Sequence, residues 1–274
     1  RSCDRATQRR SRRSSIRTSG FVSLALVSVL AGCWRSVGPD VSGVVDLAPA
    51  RSDVVRFVYL GVGGWIIERG ADQVLTGPLF TNPSLVRTGL WTIRSDTAEV
   101  NRWMAPYDVA GALAILVGHA HYDHLMDVPQ VARRHAPRAR ILTNRTGVNL
   151  LGTWSGVADR AVAVEGLAGD VEQAGEWLAL STTLRVMPLR TRHAPHFDGH
   201  TLYHGTRARP TTEEPIYADQ WVDGESLAFL IDFLDPDGSV GFRVYYSDAV
   251  AQAPAGLAPT SVVEDRPVDV AVVV

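Results

Sequence analysis

The residues with the most distinctive chemistry are three histidines and one aspartate that fall within six positions: His119, His121, Asp123 and His124. Imidazole and carboxylate are ligands that zinc and similar divalent ions favour. In an extended segment the side chains of His119 and His121 point to the same side, so both can reach one ion. If the chain then turns into a helix, Asp123 and His124 swing toward a second position. One short segment can therefore serve two neighbouring metal ions.

The segments on either side of this motif are expected to hold it in place. Residues 112–117 are entirely apolar, which is typical of a strand buried on both faces. Apolar residues then recur at helical spacing over residues 125–134. The motif is therefore predicted to lie where a buried strand passes into a helix.

Short β-branched or aromatic runs separated by Gly or Asp predict strands along most of the remaining chain. Strands are predicted at residues 54–60, 65–68, 73–76, 140–143, 177–189 (two strands), 226–233, 242–246 and 268–274, helices at 97–104 and 147–154, and a long loop at 197–226. This mixture favours an α/β or α+β layered sandwich. Because the apolar strand pattern runs to the last residue, Val274, we expect the domain to lack its C-terminal part.

The His-x-His-x-Asp-His pattern resembles the signature of the metallo-β-lactamase superfamily. With Tyr122 and Leu125 it is similar to the branch that contains N-acyl-phosphatidylethanolamine phospholipase D and ascorbate-6-phosphate lactonase, although Met126 is inserted before the final acid, Asp127. The resemblance extends from about residue 54 to the end. It implies an α+β fold, the metallo-β-lactamase-type αββα sandwich, and a metal-dependent hydrolase.

The resemblance also implies ligands outside the motif. A further histidine is expected after a strand some seventy residues on: His193 is favoured because it is nearer the end of the predicted strand, and His196 stays open. Asp248 matches an aspartate that bridges both ions, and the last histidine ligand would lie beyond Val274. Gly77 stands where relatives commonly carry Asp, which would loosen ligand orientation.

By this resemblance the centre holds two divalent ions, Zn²⁺ in the first place, with iron or manganese as alternatives. The expected ligands are His119, His121 and His193 for one ion, Asp123 and His124 for the other, and Asp248 for both. Two ions at such a centre lower the pKa of a bridging water, which then attacks a carbonyl carbon or a phosphorus atom. Asp123 would also orient the nucleophile. A non-catalytic metal- or ligand-binding surface lipoprotein is the alternative.

The N-terminal residues have the pattern of an export signal. Basic residues at 9–13 precede an apolar run at 21–30, too short to span a bilayer comfortably, and the sequence Leu-Ala-Gly-Cys that ends at Cys33. That tetrapeptide resembles the bacterial lipobox, in which the signal is cut before the lipid-bearing cysteine; an ordinary cleaved signal is the alternative. We predict a signal peptide at 1–32, a tether at 33–52 and the hydrolase domain at 53–274. A lipid on Cys33 would anchor it to the cell membrane or outer membrane.

Composition limits the partners. All 27 basic residues are Arg, and after residue 32 the chain has 20 Arg against 28 acidic residues, so nucleic acid is not expected as a partner. The two cysteines, Cys3 and Cys33, have no metal-ligand spacing and do not form a disulfide framework. The expected substrate is a small or lipid-derived molecule that contains a phosphodiester, an ester or a lactone.

Overall fold

In the computed structural model of the protein, residues 51–196, 199–249 and 251–274 are described. The predicted signal peptide and Cys33 with nearly all of the predicted tether lie outside the described residues. The described chain forms two β-sheets with short helices. Within it, no helix has both the length and the hydropathy that a membrane span requires.

The first sheet has six strands that follow one another in sequence order. They are β1 (Arg56–Gly61), β2 (Gly64–Arg69), β3 (Asp72–Thr76), β4 (Ala114–Leu116), β5 (Arg140–Thr143) and β6 (Ala161–Ala163). Strands β1 to β3 form an antiparallel meander, whereas β3 to β6 run parallel to one another. The carboxyl ends of β3 to β6 therefore lie at one edge of the sheet.

The second sheet has the strand order β11-β10-β9-β8-β7. Its strands are β7 (Leu178–Ala179), β8 (Leu184–Arg190), β9 (Leu227–Leu234), β10 (Val240–Ser247) and β11 (Val270–Val273). Strands β8 and β10 are both antiparallel to β9, so Arg190 and Ser247, at their carboxyl ends, pair with Leu227 and Ala228 at its start. The Leu227 amide donates to the carbonyl of Gly118, just after β4, at 2.8 Å. The carboxyl ends of β4, β8 and β10 are thereby brought together.

Six short α-helices complete the described residues, together with single 3₁₀ turns. They are α1 (Leu85–Leu90), α2 (Thr97–Met104), α3 (Tyr122–Leu125), α4 (Val128–Arg134), α5 (Arg145–Leu150) and α6 (Thr260–Val263). Side-chain caps begin three of them: Ser84 accepts from the amide of Arg87 in α1, Asp96 accepts from the amides of Ala98 and Glu99 in α2, and Asn144 accepts from the amide of Gly147 in α5.

The alternation of side chains along β4 shows how the layers pack. Ala114 and Leu116 lie in the apolar core between the two sheets, whereas Ile115 belongs to the core beneath α2 and α4. A third apolar cluster covers the opposite face of the second sheet, where Val262 of α6 packs. The order of layers is helix, sheet, sheet, helix, which confirms the predicted α+β sandwich of αββα type.

The structure differs from the sequence prediction at several elements. The helix predicted over residues 125–134 begins only at Val128, as α4, because the shorter helix α3 ends at Leu125 and the chain is held at Asp127 between the two. The Asp127 carboxylate accepts four hydrogen bonds, from the amides of Phe80 and Thr81 and from the hydroxyls of Thr81 and Ser95. Helices α1 and α6 and strand β6 were not expected, since they are short and bury few side chains.

Candidate metal centre

The predicted site residues come from three strand ends that meet at one edge of the sandwich. The His-x-His-x-Asp-His motif follows β4, His193 follows β8 and Asp248 follows β10 directly. Gly118 allows this convergence, because a Cβ at this position would overlap the carboxylate of Asp248 and the carbonyl oxygen of Leu227. The meeting of the carboxyl ends of β4 and β10 thus brings together residues that are 130 positions apart in the chain.

The first potential ligand group consists of three imidazoles. His119, His121 and His193 each offer a ring nitrogen, and these nitrogens all lie within 4.8 Å of one another. Their ring centroids are 4.5 to 4.9 Å apart. The Nε2 atoms of His119 and His193 are 3.1 Å apart. This is close to the roughly 3.3 Å expected between two nitrogens that share a tetrahedral zinc ion with bonds of about 2.0–2.1 Å.

Hydrogen bonds on the far side of His119 and His193 determine which nitrogen is free to bind a cation. His119 Nδ1 lies 2.9 Å from the carboxylate of Asp248, and His193 Nδ1 lies 2.6 Å from the carbonyl oxygen of Ala194. Because both oxygens can only accept, the Nδ1 atoms carry the protons and the Nε2 atoms keep their lone pairs. Two lone pairs that face each other at 3.1 Å repel unless a cation or a proton lies between them.

The ring of His121 uses its other nitrogen, Nε2, for its hydrogen bond. Its Nε2 atom lies 3.4 Å from the carbonyl oxygen of Tyr203, a long contact in which only the nitrogen can donate. The Nδ1 lone pair of His121 is then the one available to an ion. Oxygen acceptors of this kind orient histidine ligands in metalloproteins and raise their basicity.

The second potential ligand group shares one member with the first. It contains His119, Asp123 and His124, whose ligand atoms also lie within 4.8 Å of one another. The Nδ1 atom of His124 is buried and has no hydrogen-bond partner in the described chain, and its Nε2 is 3.5 Å from a carboxylate oxygen of Asp123. A buried nitrogen without a partner is costly, and a cation would relieve that cost. The residues therefore fit the divalent ions that the fold implies.

Asp248 lies against both groups without joining either one. One of its oxygens accepts from His119, and the other accepts from the Gly118 amide at 2.7 Å and lies 3.9 Å from His124 Nδ1. Burial raises the pKa of Asp248, but the attraction of His119 and His124 and these hydrogen bonds outweigh burial and lower it. Asp248 is therefore an anion that positions His119, and its role as a bridging ligand stays a prediction.

The electrostatics of the cluster favour neutral imidazoles at three positions. Burial, followed by the charge of His119, lowers the pKa of His121 to about 3, and burial is also the main cause that lowers the pKa values of His124 and His193. For His119, burial again lowers the pKa, but Asp248 outweighs it, and the pKa is raised. Neutral imidazole is the form that binds metal, so His121, His124 and His193 are ready to act as ligands near neutral pH.

All six residues predicted as metal ligands, His119, His121, Asp123, His124, His193 and Asp248, lie in this one cluster. His196, the open alternative to His193, stacks on the His193 ring at 4.5 Å but joins neither ligand group. The amide of Leu202 donates to its Nδ1 atom. Which residues hold metal stays a prediction, although the geometry favours His193 over His196.

The structure explains why residue 77 is a glycine. A Cβ at this position would overlap the backbone carbonyl oxygen of His124, so α3 approaches β3 too closely for any side chain. The amide of Gly77 donates to the carbonyl of Leu116 at 3.0 Å, which fixes this approach. An aspartate could not occupy position 77 without moving His124.

Two residues beside the centre were not found from the sequence. Tyr203, which accepts from His121, has a positive φ of 55°, and Asp223 is a buried acid whose carbonyl accepts from the amide of Ala120. Both lie in the region predicted only as a loop. A buried acid inside a polar loop leaves no periodic pattern, so it has no signal in the sequence.

The four-layer αββα sandwich with a histidine cluster at its edge is the metallo-β-lactamase fold. No family model matches the sequence. A curated protein of Aeropyrum pernix, named UPF0173 metal-dependent hydrolase, is 28% identical over 89 residues, which are 32% of this chain and 29% of that protein. The chain thus matches less than a third of that relative's length.

Two solved structures are similar to this chain at low sequence identity. The diiron β-hydroxylase CmlA of Streptomyces venezuelae is 16% identical with a TM-score of 0.42, and the match covers 81% of this chain and 34% of that one. The Rm3 metallo-β-lactamase is 15% identical with a TM-score of 0.42, over 84% of this chain and 78% of that one.

Proposed function

We propose that this chain is a metal-dependent hydrolase that uses two divalent ions to hydrolyse a phosphodiester, an ester or a lactone. One observation carries the proposal: His119, His121 and His193 each offer a ring nitrogen within 4.8 Å of the others, and the Nε2 atoms that His119 and His193 leave free face each other at 3.1 Å. A buried cluster of this kind has no packing purpose that apolar side chains would not serve better. The name of the Aeropyrum pernix relative agrees with the proposal.

Within this proposal His119, His121 and His193 hold one ion, and Asp123 and His124 contribute to the other. Divalent ions there would supply Lewis acidity and a water of lowered pKa, with zinc as the first candidate and iron or manganese as alternatives. The chain's own residues supply the orientation. Asp248, for example, holds His119 with one oxygen and is itself held by the Gly118 amide through the other.

Asp123 is the candidate for orienting the attacking water. Its side chain is 35% exposed, whereas the neighbouring His124 side chain is 5% exposed, so Asp123 is the residue of the pair that solvent can reach. Burial opposes its ionisation, but electrostatic interactions with His124, His119 and His121 outweigh burial and lower the pKa of Asp123 below its ordinary value. The carboxylate is therefore ionised near neutral pH and can accept a hydrogen bond from water.

The substrate class follows from two sequence features that the described residues leave untested. The lipobox resemblance at Cys33 suggests that a lipid anchors the chain to a membrane. The motif resembles the branch that contains a phospholipid phosphodiesterase. Together they support a lipid-derived phosphodiester or ester as substrate, with a lactone as the next candidate. Replacing Cys33 with Ser should release the expressed protein from the membrane fraction if the anchor is real.

Metal content is the direct test of the proposal. The full chain is purified, incubated with Zn²⁺, Fe²⁺ or Mn²⁺ and analysed for bound metal, beside a His119→Ala/His121→Ala variant. His135→Ala is the matched control, because His135 bonds Asn101 away from the centre. About two equivalents of metal in the parent and the control, and loss in the double variant, are expected. A parent that binds no metal would contradict the proposal.

A further inference from the structure

A buried carboxylate holds an exposed imidazole beside the metal centre. The side chain of Asp223 is 2% exposed and that of His204 is 75% exposed. His204 Nδ1 lies 2.8 Å from one oxygen of Asp223, and the other oxygen accepts from the amide of Gly205 at 2.8 Å. Both oxygens of the buried acid are therefore occupied by residues of one short loop.

The backbone of this pair is joined to the backbone of the metal ligands. The carbonyl of Asp223 accepts from the amide of Ala120, the residue between His119 and His121, at 2.9 Å. The amide of Asp223 donates to the carbonyl of Tyr203 at 3.2 Å, and that same carbonyl oxygen faces His121 Nε2. The position of His204 is thus tied to the histidines that would bind the ion.

The contact determines which nitrogen of His204 is available for chemistry. Since a carboxylate only accepts, Nδ1 carries the proton that points to Asp223, and Nε2 is the nitrogen that is free. A buried carboxylate that orients an imidazole is an arrangement that hydrolases use for proton transfer. Because the His204 side chain is mostly exposed, its ring adds little to packing.

We propose that His204 donates a proton to the leaving group during hydrolysis and that Asp223 positions it. This role rests on the proposed hydrolase function. The oxygen of the attacking water bonds to phosphorus or the acyl carbon and gives up a proton to solvent. As the bond between that atom and the leaving oxygen breaks, the electron pair stays on the leaving oxygen. The oxygen takes the proton from Nε2 of the protonated ring. The ring then recovers a proton from solvent, so that one water is consumed and one acid and one alcohol are formed.

Leaving-group dependence separates this role from a structural one. The full chain, loaded with Zn²⁺, is assayed with ethyl phenyl phosphate and with ethyl 4-nitrophenyl phosphate. Phenolate is the more basic leaving group and needs the proton, whereas 4-nitrophenolate leaves without it. His204→Ala should lower kcat for the phenyl ester by about 100-fold or more and leave kcat for the nitrophenyl ester nearly unchanged.

Two further variants sharpen the assay. Asp223→Asn should show the same leaving-group dependence as His204→Ala, because the ring loses the carboxylate that orients it. His200→Ala is the matched control, since His200 is an exposed histidine of the same region. It should leave both rates unchanged. An equal loss on both esters in His204→Ala, or no loss on either, would overturn the role of His204.

A measurement without substrate tests the pair itself. In the metal-free full chain, nitrogen-15 NMR of the neutral His204 ring should show the proton on Nδ1, and Asp223→Asn should move it largely to Nε2. A neutral ring that carries its proton on Nε2 in the parent would overturn the proposal. A different failure is also possible: the parent has this tautomer and binds metal but hydrolyses neither ester. That result would contradict the proposed phosphodiesterase activity, and with it the role of His204 in phosphodiester hydrolysis.

Discussion

Two clusters of buried polar and charged groups, one on the outer face of the second sheet and one at the edge of the sandwich, are built in different ways. On the outer face, Asp232 is fully buried and accepts from both Arg185 and Arg243. The ring of Trp177 lies 4.1 Å from the guanidinium carbon of Arg185. Arg243 also donates to the carbonyls of the α6 region, including that of Val262. We refer to these four side chains, Trp177, Arg185, Asp232 and Arg243, as the outer-face cluster.

The candidate metal centre has the opposite character. His124 Nδ1 has no partner in the described chain, and the Nε2 atoms of His119 and His193 face each other at 3.1 Å. The outer-face cluster is complete, because both oxygens of Asp232 are bonded by guanidinium groups. Buried polar groups that satisfy one another hold a structure together, whereas buried lone pairs that converge without a donor indicate a site for a cation.

The largest effect on stability is expected from a substitution that breaks the outer-face cluster. Replacing Arg243 with Met leaves Asp232 buried with one cation fewer, and we expect the free energy of unfolding to fall by about 3–5 kcal/mol. Arg185→Met should cost less, because the Arg185 side chain is 29% exposed and that of Arg243 is 5% exposed. Urea unfolding with and without a chelator measures both. If the loss of stability in Arg243→Met depended on the chelator, the outer-face cluster and the metal site would not be independent, which would contradict this account.

The next largest effect is the stabilisation by bound metal, which should depend on the histidine cluster alone. Zn²⁺ at 100 times its dissociation constant should raise the free energy of unfolding by about 2.7 kcal/mol, because only the folded chain assembles the site. The Arg243→Met variant should keep this increment, and the His119→Ala/His121→Ala variant should lose it. Denaturant titrations at fixed Zn²⁺ concentration check both. An increment of equal size in the double variant would place the bound metal elsewhere.

A smaller effect concerns Asp248, which supports the centre with its charge. Asp248→Asn keeps an oxygen that can accept from His119 but removes the negative charge near the ion. We expect Zn²⁺ affinity to fall about 10- to 100-fold, as for other groups that orient metal-bound histidines. Competition against a chromophoric chelator gives the affinity. An unchanged affinity would mean that Asp248 serves only to hold Gly118.

Per pH unit, the smallest effect is a pH dependence of the metal-free protein. The pKa of His121 falls from 6.5 to about 3 on folding. Between those values the unfolded chain binds a proton that the folded chain does not. The free energy of unfolding should therefore decrease as pH falls through this window, by up to about 1.4 kcal/mol per pH unit from this residue. Urea unfolding at several pH values in chelator checks the slope, and His121→Asn should reduce it.

The elements that carry a periodic pattern could be predicted from the sequence. The helix at Thr97–Met104 and the strand at Arg140–Thr143 have the predicted bounds, because in each case local composition and burial agree. Helix α1 was missed because it buries no side chain and therefore has no apolar stripe. The break between α3 and α4 was missed because it depends on hydrogen bonds between Asp127 and residues more than thirty positions away.

The candidate site was predictable to the extent that its residues are close in the sequence or follow a strand. The motif from His119 to His124 predicted most of the potential ligands, and the end of the strand that precedes His193 pointed to that residue. Asp223 and Tyr203 could not be found, because the backbone contacts that bring them to the centre depend on how the loop folds back. The same holds for the outer-face cluster, where Arg185 and Asp232 meet only through strand register.

Zinc K-edge X-ray absorption of the full chain tests the central claim most directly. We predict a coordination shell of nitrogen and oxygen atoms at about 2.0–2.1 Å, with the multiple-scattering pattern of imidazole and no sulfur. That pattern should vanish in the His119→Ala/His121→Ala variant. A zinc–sulfur distance of about 2.3 Å, for which Cys3 and Cys33 are the only thiol sources in the sequence, would contradict the claim. So would a spectrum that the double variant leaves unchanged.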